Sequence, residues 1–328
     1  MTKRILVCGA GGFIGTHLVE SLKAQGHYVV GADLKKPQYT TSSADRFYQS
    51  CDLRDKYYVE KLFIQESFDE IYQLAADMGG AGYVFTGKHD ADIMHNSASI
   101  NLNIVSAMIA HNVKKVFYSS SACIYPEYKQ LDPDNVCLEE SAAYPAAPDS
   151  EYGWEKLFSE RLYMNYAKNY GIDARIARFH NVFGPKGSWN NGKEKSPAAL
   201  CRKVAMANEG DEIEVWGNGT QSRSFLYIDE CIEGIHRIME SDYASPLNLG
   251  SERQVSINEL VGIISRAANK KVKINNVPGP TGVMGRTSDN NLLRKTLDWT
   301  PDEDLEGGIL KTYRWIAEQI AQGKSDEN

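Results

Sequence analysis

Tyr152 and Lys156 stand four residues apart in the run Tyr152-Gly153-Trp154-Glu155-Lys156, a spacing that puts both side chains on one face of a helix. An ammonium beside a phenol favours the phenolate, so Tyr152 is a candidate acid/base with Lys156 as its partner. Upstream, Ser119-Ser120-Ser121-Ala122-Cys123 closes an apolar run that reads as a strand from Lys115 to Ser119. Strand ends are where open α/β sheets gather their ligands. Cys123 lies just beyond that end and is a candidate second base. A free thiol titrates near ~8.5, and neighbouring positive charge is needed to make it a useful base at neutral pH. Without such charge a cysteine at a strand end is an inert buried side chain.

These groups need a frame. Ile5-Leu6-Val7-Cys8 is a continuous apolar strand that feeds Gly9-Ala10-Gly11-Gly12-Phe13-Ile14-Gly15 and then a helical pattern through Leu18, Leu22 and Ala24. Glycines at 9, 12 and 15 let a pyrophosphate approach the backbone at the helix N-terminus, where free N–H groups and the dipole favour anions. A second strand, Tyr28 to Ala32, ends at Asp33, placed to hold the diol of an adenosine ribose. A carboxylate there repels a ribose phosphate, so the expected dinucleotide is NAD rather than NADP; Lys35 and Lys36 read as a solvated turn. Asp52, in Cys51-Asp52-Leu53, either accepts from the adenine amine or, like Asp55, caps a helix. A further buried strand, Ile71 to Ala76, contains Leu74 and Ala75. It is followed by Asp77-Met78-Gly79-Gly80-Ala81-Gly82, whose N–H groups are expected to face the cofactor. His89, Asp90, Asp92 and His95 resemble metal ligands by composition only. They read as a solvated loop, and no metal is expected. A helix is expected from Asn96 to His111, and any buried Asn101 or Asn103 on it must be hydrogen-bonded.

The strand and helix alternation continues through Val116–Ser119 and Asp173–Arg178. Repeated units of this kind imply an α/β fold, a Rossmann-like doubly wound parallel sheet covered on both faces. From Phe183 the character changes to a glycine- and lysine-rich loop, Gly184 to Lys195, with a helix from Pro197 through Arg202 and Lys203. Residues 1–182, with a return segment at about 224–248, are expected to form the dinucleotide-binding domain. Residues 183–223 and 249–328 are expected to form a smaller, interleaved C-terminal substrate-binding lobe, with Lys324 to Asn328 frayed. Arg223 and Arg286 lie in polar, turn-rich settings that suit forked contacts with a diphosphate but, on the residues alone, read as surface salt bridges.

The bulk numbers exclude other classes. The 328 residues are 42% apolar and 24% charged, with a formal net charge of -7, which argues against general binding to nucleic acid or membranes. Cysteines at 8, 51, 123, 137, 201 and 231 show neither zinc nor disulfide spacing and read as reduced thiols. With no apolar run long enough to cross a bilayer, the cytoplasm is the expected location.

Together, the glycine fingerprint, Asp33, the serine run and Tyr152-x-x-x-Lys156 resemble the extended short-chain dehydrogenase/reductases that modify nucleotide sugars. So do Arg178-Phe179-His180-Asn181 and Arg223-Ser224-Phe225. The resemblance implies that Tyr152 and Lys156 take a sugar hydroxyl proton while NAD takes the hydride, that Ser121 bonds the same oxygen, and that Asn181 holds the diphosphate or sugar. The 4,6-dehydratases of that family carry Thr-Asp-Glu where this chain has Ser121-Ala122-Cys123, and simple 4-epimerases usually carry Ser-Ala-Thr. Cysteine in the base position resembles the branch that inverts C3 and C5 of GDP-mannose. So do Lys193-Glu194-Lys195-Ser196-Pro197, Cys201-Arg202-Lys203 and Gly285-Arg286-Thr287. It implies Cys123 as base and Lys195 as opposing acid, with the nicotinamide and Lys195 supplying charge near the thiol. Lys193, on the same loop, is the alternative acid. The substrate would also meet Gly80, Ala122, Lys203, Gln221, Arg223 and Arg286, and a homodimer is implied. A 4-epimerase or other oxidoreductase acting on a different nucleotide sugar is the competing expectation.

Overall fold

A computed structural model describes residues 1–134, 136, 138–302 and 304–325; Cys137 and residues 326–328 of the expected frayed end lie outside them. The first strands are β1 (Arg4–Cys8), β2 (Tyr28–Asp33), β3 (Arg46–Gln49), β4 (Glu70–Gln73), β5 (Lys115–Ser121) and β6 (Asp173–Phe179). With Leu247–Leu249 they form a seven-stranded parallel sheet, Leu247–Leu249 lying at one edge, then β6, β5, β4, β1, β2 and β3. The chain therefore winds outward from β1 in one direction and from β4 in the other. The switch between β1 and β4 opens a crevice at the strand C-termini.

Period-two alternation sets the two faces. Ile5 and Val7 join the core that includes helix α1 (Phe13–Ala24) and the helix Ile228–Glu240. Leu6 and Cys8 join the opposite core, under α2 (Lys56–Gln65) and the helices Asp90–Ala110 and Glu151–Tyr170. The C-terminal half adds the helices Ser196–Met206, Ile257–Ala268 and Leu305–Ala321, which pack together. It also adds small sheets, one of which places Ser222–Ser224 between Gln254–Ser256 and Gly285–Arg286.

Three boundaries differ from expectation. β5 runs on to Ser121, because Ser120 and Ser121 stay in register with Arg178 and Phe179 of β6. β4 stops at Gln73, whose side-chain amide bonds both the N–H and the carbonyl of Ala75 and so turns the chain out of the sheet. The stretch expected to be a solvated loop up to His95 is helical from Asp90, where Asp90 and Asp92 in the first turn suit the positive end of the helix dipole.

Asn101 is 1% exposed, and its amide bonds Gln73, Ser97, Glu155, Ser159 and Tyr163, the full pairing that burial demands. Asn103 is only half-buried and donates to the carbonyls of Leu53 and Arg54. Below the crevice, Arg178 and Glu160 form a forked pair with both bonds at 2.9 Å and both side chains nearly inaccessible. Arg178 also donates to the Tyr125 hydroxyl and the Glu140 carbonyl, tying β6 to the chain beyond β5. Glu160→Gln leaves the buried guanidinium without its counter-charge. The expected cost is about 3 to 5 kcal/mol of unfolding free energy, read as a lower urea midpoint than the parent protein.

Candidate active site

The loop between β1 and α1 is a close-packed cradle. Gly9 adopts φ +81°, and a Cβ on Gly15 would lie 2.0 Å from the Gly9 carbonyl oxygen. Gly12 caps α1 without a side-chain bond, and no acidic residue occupies the first turn, so the N–H groups and dipole remain available to an anion. Half-buried Phe13 and Ile14 begin the helix, and Ala75, next to Leu74, abuts Gly9. Asp33 accepts from the N–H groups of Gly11 (2.9 Å) and Lys35 (3.1 Å). Burial pushes its carboxyl up, against the pull of those N–H groups. These features fit a dinucleotide: a narrow backbone bed, a free helix terminus and an acid at the ribose position. Leu53 is buried beside Asp52, but Asp52 is gripped by Arg54 at 2.7 and 2.8 Å, which holds its carboxyl below the usual range. Asp55, accepting from the Tyr57 N–H, is the cap of α2.

The second cluster forms where β5 ends. Ser121 Oγ accepts from the Cys123 N–H (3.1 Å) and sets a 3₁₀ turn over Ala122–Ile124 that presents Cys123 half-buried. The helix Glu151–Tyr170 crosses that turn so closely that a Cβ on Gly153 would sit 2.2 Å from the Cys123 carbonyl oxygen. Only glycine permits this approach, and it brings Tyr152 beside Ser121 and Cys123. Burial drives the Tyr152 phenol far up, a nearby Cys123 charge adds to this, and the Ser121 hydroxyl pulls it back. Lys156 sits 5.7 Å from the Tyr152 ring centroid and 4.9 Å from that of Tyr118, and its hydrogen bond goes to the Ser119 carbonyl (2.8 Å). Its ammonium thus supplies charge beneath the ring. Burial pushes its pKa down, while Glu155 and Glu160 oppose that.

Arg286 is turned differently from the expected diphosphate contact. Its guanidinium is buried and each of its three nitrogens has a partner: Nε donates to Gln130 Oε1 (2.6 Å), Nη2 to Asp149 Oδ2 (2.9 Å) and Nη1 to Cys123 Sγ (3.0 Å). The charge that a basic thiol requires is therefore in contact with the sulfur. Arg223 likewise spends its fork on the carbonyls of Ser222, Thr281 and Val283, and burial, with Arg286 nearby, brings it down to about 10. Lys195 is close enough to Cys123 to feel its charge, and burial lowers its pKa, making it a readier proton donor. Lys193 is instead exposed and lies over the Tyr83 ring.

Other expected contacts are occupied within the chain. The Gly80 N–H donates to the Lys193 carbonyl rather than facing the crevice. Asn181, at φ +44°, donates to the Ser224 carbonyl, and Lys203 to the Glu214 carbonyl. Gln221 donates to the Trp216 carbonyl, and its buried Oε1 is left for an incoming donor. Ala122 is buried in the floor. Among the described residues no group of His, Cys, Asp or Glu has the arrangement to hold a metal ion. Gln130 and Asp149, which aim Arg286, carry no spacing signal in the sequence.

This cradle and acid/base cluster define a dinucleotide-dependent enzyme of the short-chain dehydrogenase type. The chain belongs to the NAD dependent epimerase/dehydratase family, whose model matches residues 5–250, and NAD is its cofactor. It is 46% identical to GDP-mannose 3,5-epimerase of Arabidopsis thaliana over 98% of this chain and 84% of that one. The same values hold for GDP-mannose 3,5-epimerase 1 of Oryza sativa subsp. indica. Among solved structures, UDP-N-acetylglucosamine 4-epimerase from Methanobrevibacter ruminantium M1 superposes with a TM-score of 0.83 at 27% identity, over 97% of this chain and 99% of that one. Gly15→Ala puts a methyl group against the Gly9 carbonyl and should empty the cradle. The expected result is protein purified without the NAD that the parent retains, measured by chromatography of nucleotide released on denaturation.

Proposed function

We propose that the protein epimerises GDP-D-mannose at C3 and C5, giving GDP-L-galactose, with GDP-L-gulose as the product of inversion at C5 alone. The observation that carries this reading is the Cys123 thiol against the Arg286 guanidinium at 3.0 Å, at the strand end that also holds Ser121 and Tyr152. A 4-epimerase needs no such base. The near-full-length similarity to plant enzymes of that name supports the choice of nucleotide and sugar.

NAD, held by the cradle and Asp33, supplies hydride acceptance and return at C4. Tyr152, backed by the Lys156 ammonium, takes the C4 hydroxyl proton. A C4 ketone makes the hydrogens on C3 and C5 acidic, and Cys123 removes them as a thiolate paired with Arg286. Tyr152 and Ser121 donate to the enolate oxygen, where charge develops. Lys195 then delivers a proton to the opposite face of the ring, which inverts the carbon. For Arg223, Asn181, Lys203 and Gln221 to hold the nucleotide-sugar, each exchanges a carbonyl partner within the chain for the ligand.

Proton NMR of GDP-mannose turned over in deuterated water tests this, beside a Cys123→Ser control. Deuterium is expected at both C3 and C5, and at least 100-fold less in the control, on the order of a missing general base. Turnover without ring deuteration would sink the thiol's role and favour a C4 enzyme.

The protein works, on this reading, as a cytoplasmic homodimer. No helix among the described residues is long and apolar enough to cross a membrane. The packed helices Asp90–Ala110 and Glu151–Tyr170 expose Met94, Leu102, Trp154, Phe158 and Met164, an apolar face suited to a second copy. Sedimentation should give twice the chain mass for the parent and the chain mass for a Trp154→Glu, Phe158→Glu double variant. A parent that sediments as a monomer would rule the dimer out.

A further inference from the structure

Lys195 rides on a stretch without regular secondary structure, yet an acid must be held to within a fraction of an ångström of its productive place. One side of that stretch is fastened to the helix that follows it. Arg202 donates to the Trp189 carbonyl (2.9 Å) and to Glu194 Oε1 (3.2 Å), and Glu194 Oε2 accepts from the Gly192 N–H. The other side is fastened to the segment after β4. The Gly80 N–H donates to the Lys193 carbonyl (2.9 Å), and a Cβ on Gly80 would lie 2.2 Å from the Glu194 carbonyl oxygen. The Lys193 ammonium lies 4.1 Å from the Tyr83 ring centroid and 3.9 Å from Asp77 Oδ1.

The receiving side is itself rigid. Tyr83 donates its hydroxyl to Asp77 Oδ1 (2.9 Å), and His89 stacks on the same ring at 4.2 Å and 15°. Asn96 donates to Asp77 Oδ2 (2.8 Å), and the Asp77 N–H donates to Ser97 Oγ (3.0 Å), so the carboxylate is anchored to the helix Asp90–Ala110. A cation is thus received by an aromatic face and a fixed carboxylate, two residues before the candidate acid.

We propose that Asp77, Tyr83 and Lys193 form a latch that positions Lys195 against the substrate face, so that these three are positioning residues for the proton-donating step. The latch rests on the reading of Lys195 as the acid; its physical existence does not.

Two measurements on the NAD-loaded protein test it with Lys193→Met and Lys193→Arg. Without substrate, backbone hydrogen exchange across residues 187–195 should be about fivefold faster in Lys193→Met and parental in Lys193→Arg, which keeps both contacts. With GDP-mannose in deuterated water, kcat for ring deuteration should fall about tenfold in Lys193→Met with KM within twofold, and return in Lys193→Arg. Parental exchange in Lys193→Met overturns the latch. Faster exchange with unchanged kcat overturns its positioning role. Loss of activity in both variants with parental exchange makes Lys193 the acid and overturns the proposal as well. If the parent does not turn over GDP-mannose, the proposed substrate fails and the exchange measurement alone decides the latch.

Discussion

A buried guanidinium must satisfy all of its donors or destabilise whatever encloses it. Arg286 gives each of its three guanidinium nitrogens a partner, from three stretches of chain: Gln130, Asp149 and the Cys123 sulfur. The same requirement fixes the backbone, since the N–H groups of Met284 and Gly285 both donate to the Gln130 carbonyl. The strand Gly285–Arg286 then pairs with Ser222–Ser224, which holds Arg223 beside it. One cation thereby joins the strand Gly285–Arg286 to the end of β5. The cation at the thiol and the pairing of that strand are a single arrangement.

Close backbone approach does the complementary work on the other side of the crevice. Gly153 lets a helix lie on the Cys123 turn, and Gly15 lets α1 start against the Gly9 carbonyl. Both approaches occur at the C-terminal ends of strands near the sheet's switch point, where cofactor and substrate candidates converge. The residues that face a ligand are few. Those that hold them, such as the Arg178–Glu160 pair and the Asn101 cluster, are deeper and bonded to one another.

Local pattern made much of this legible. The apolar strands, the glycine cradle and the Tyr152–Lys156 face follow from periodicity and spacing, because each depends on neighbours within one element. Cys123 is a candidate base from its place beyond the strand end, and the resemblance gives it a specific role. The orientation of Arg286 was not legible, because its partners come from distant loops that carry no period. Asp52 reads as either an adenine contact or a helix cap, and the resemblance places Gly80 at the substrate. The Asp52–Arg54 pair is local, two residues apart, whereas the Gly80 bond to the Lys193 carbonyl is set by tertiary packing that no spacing records. The early start of the helix at Asp90 was hidden by a composition that suits a loop as well as a first turn.

The sulfur and its cation are separated by 163 positions in the chain. Synthesis proceeds from the N-terminus, so the cradle, Ser121, Tyr152 and Lys156 all leave the ribosome well before residue 286. A nascent chain can therefore bind its dinucleotide and build most of its sheet while Cys123 still lacks its guanidinium partner. Cys123 gains its paired cation only once Gly285–Arg286 has been made and has paired with Ser222–Ser224.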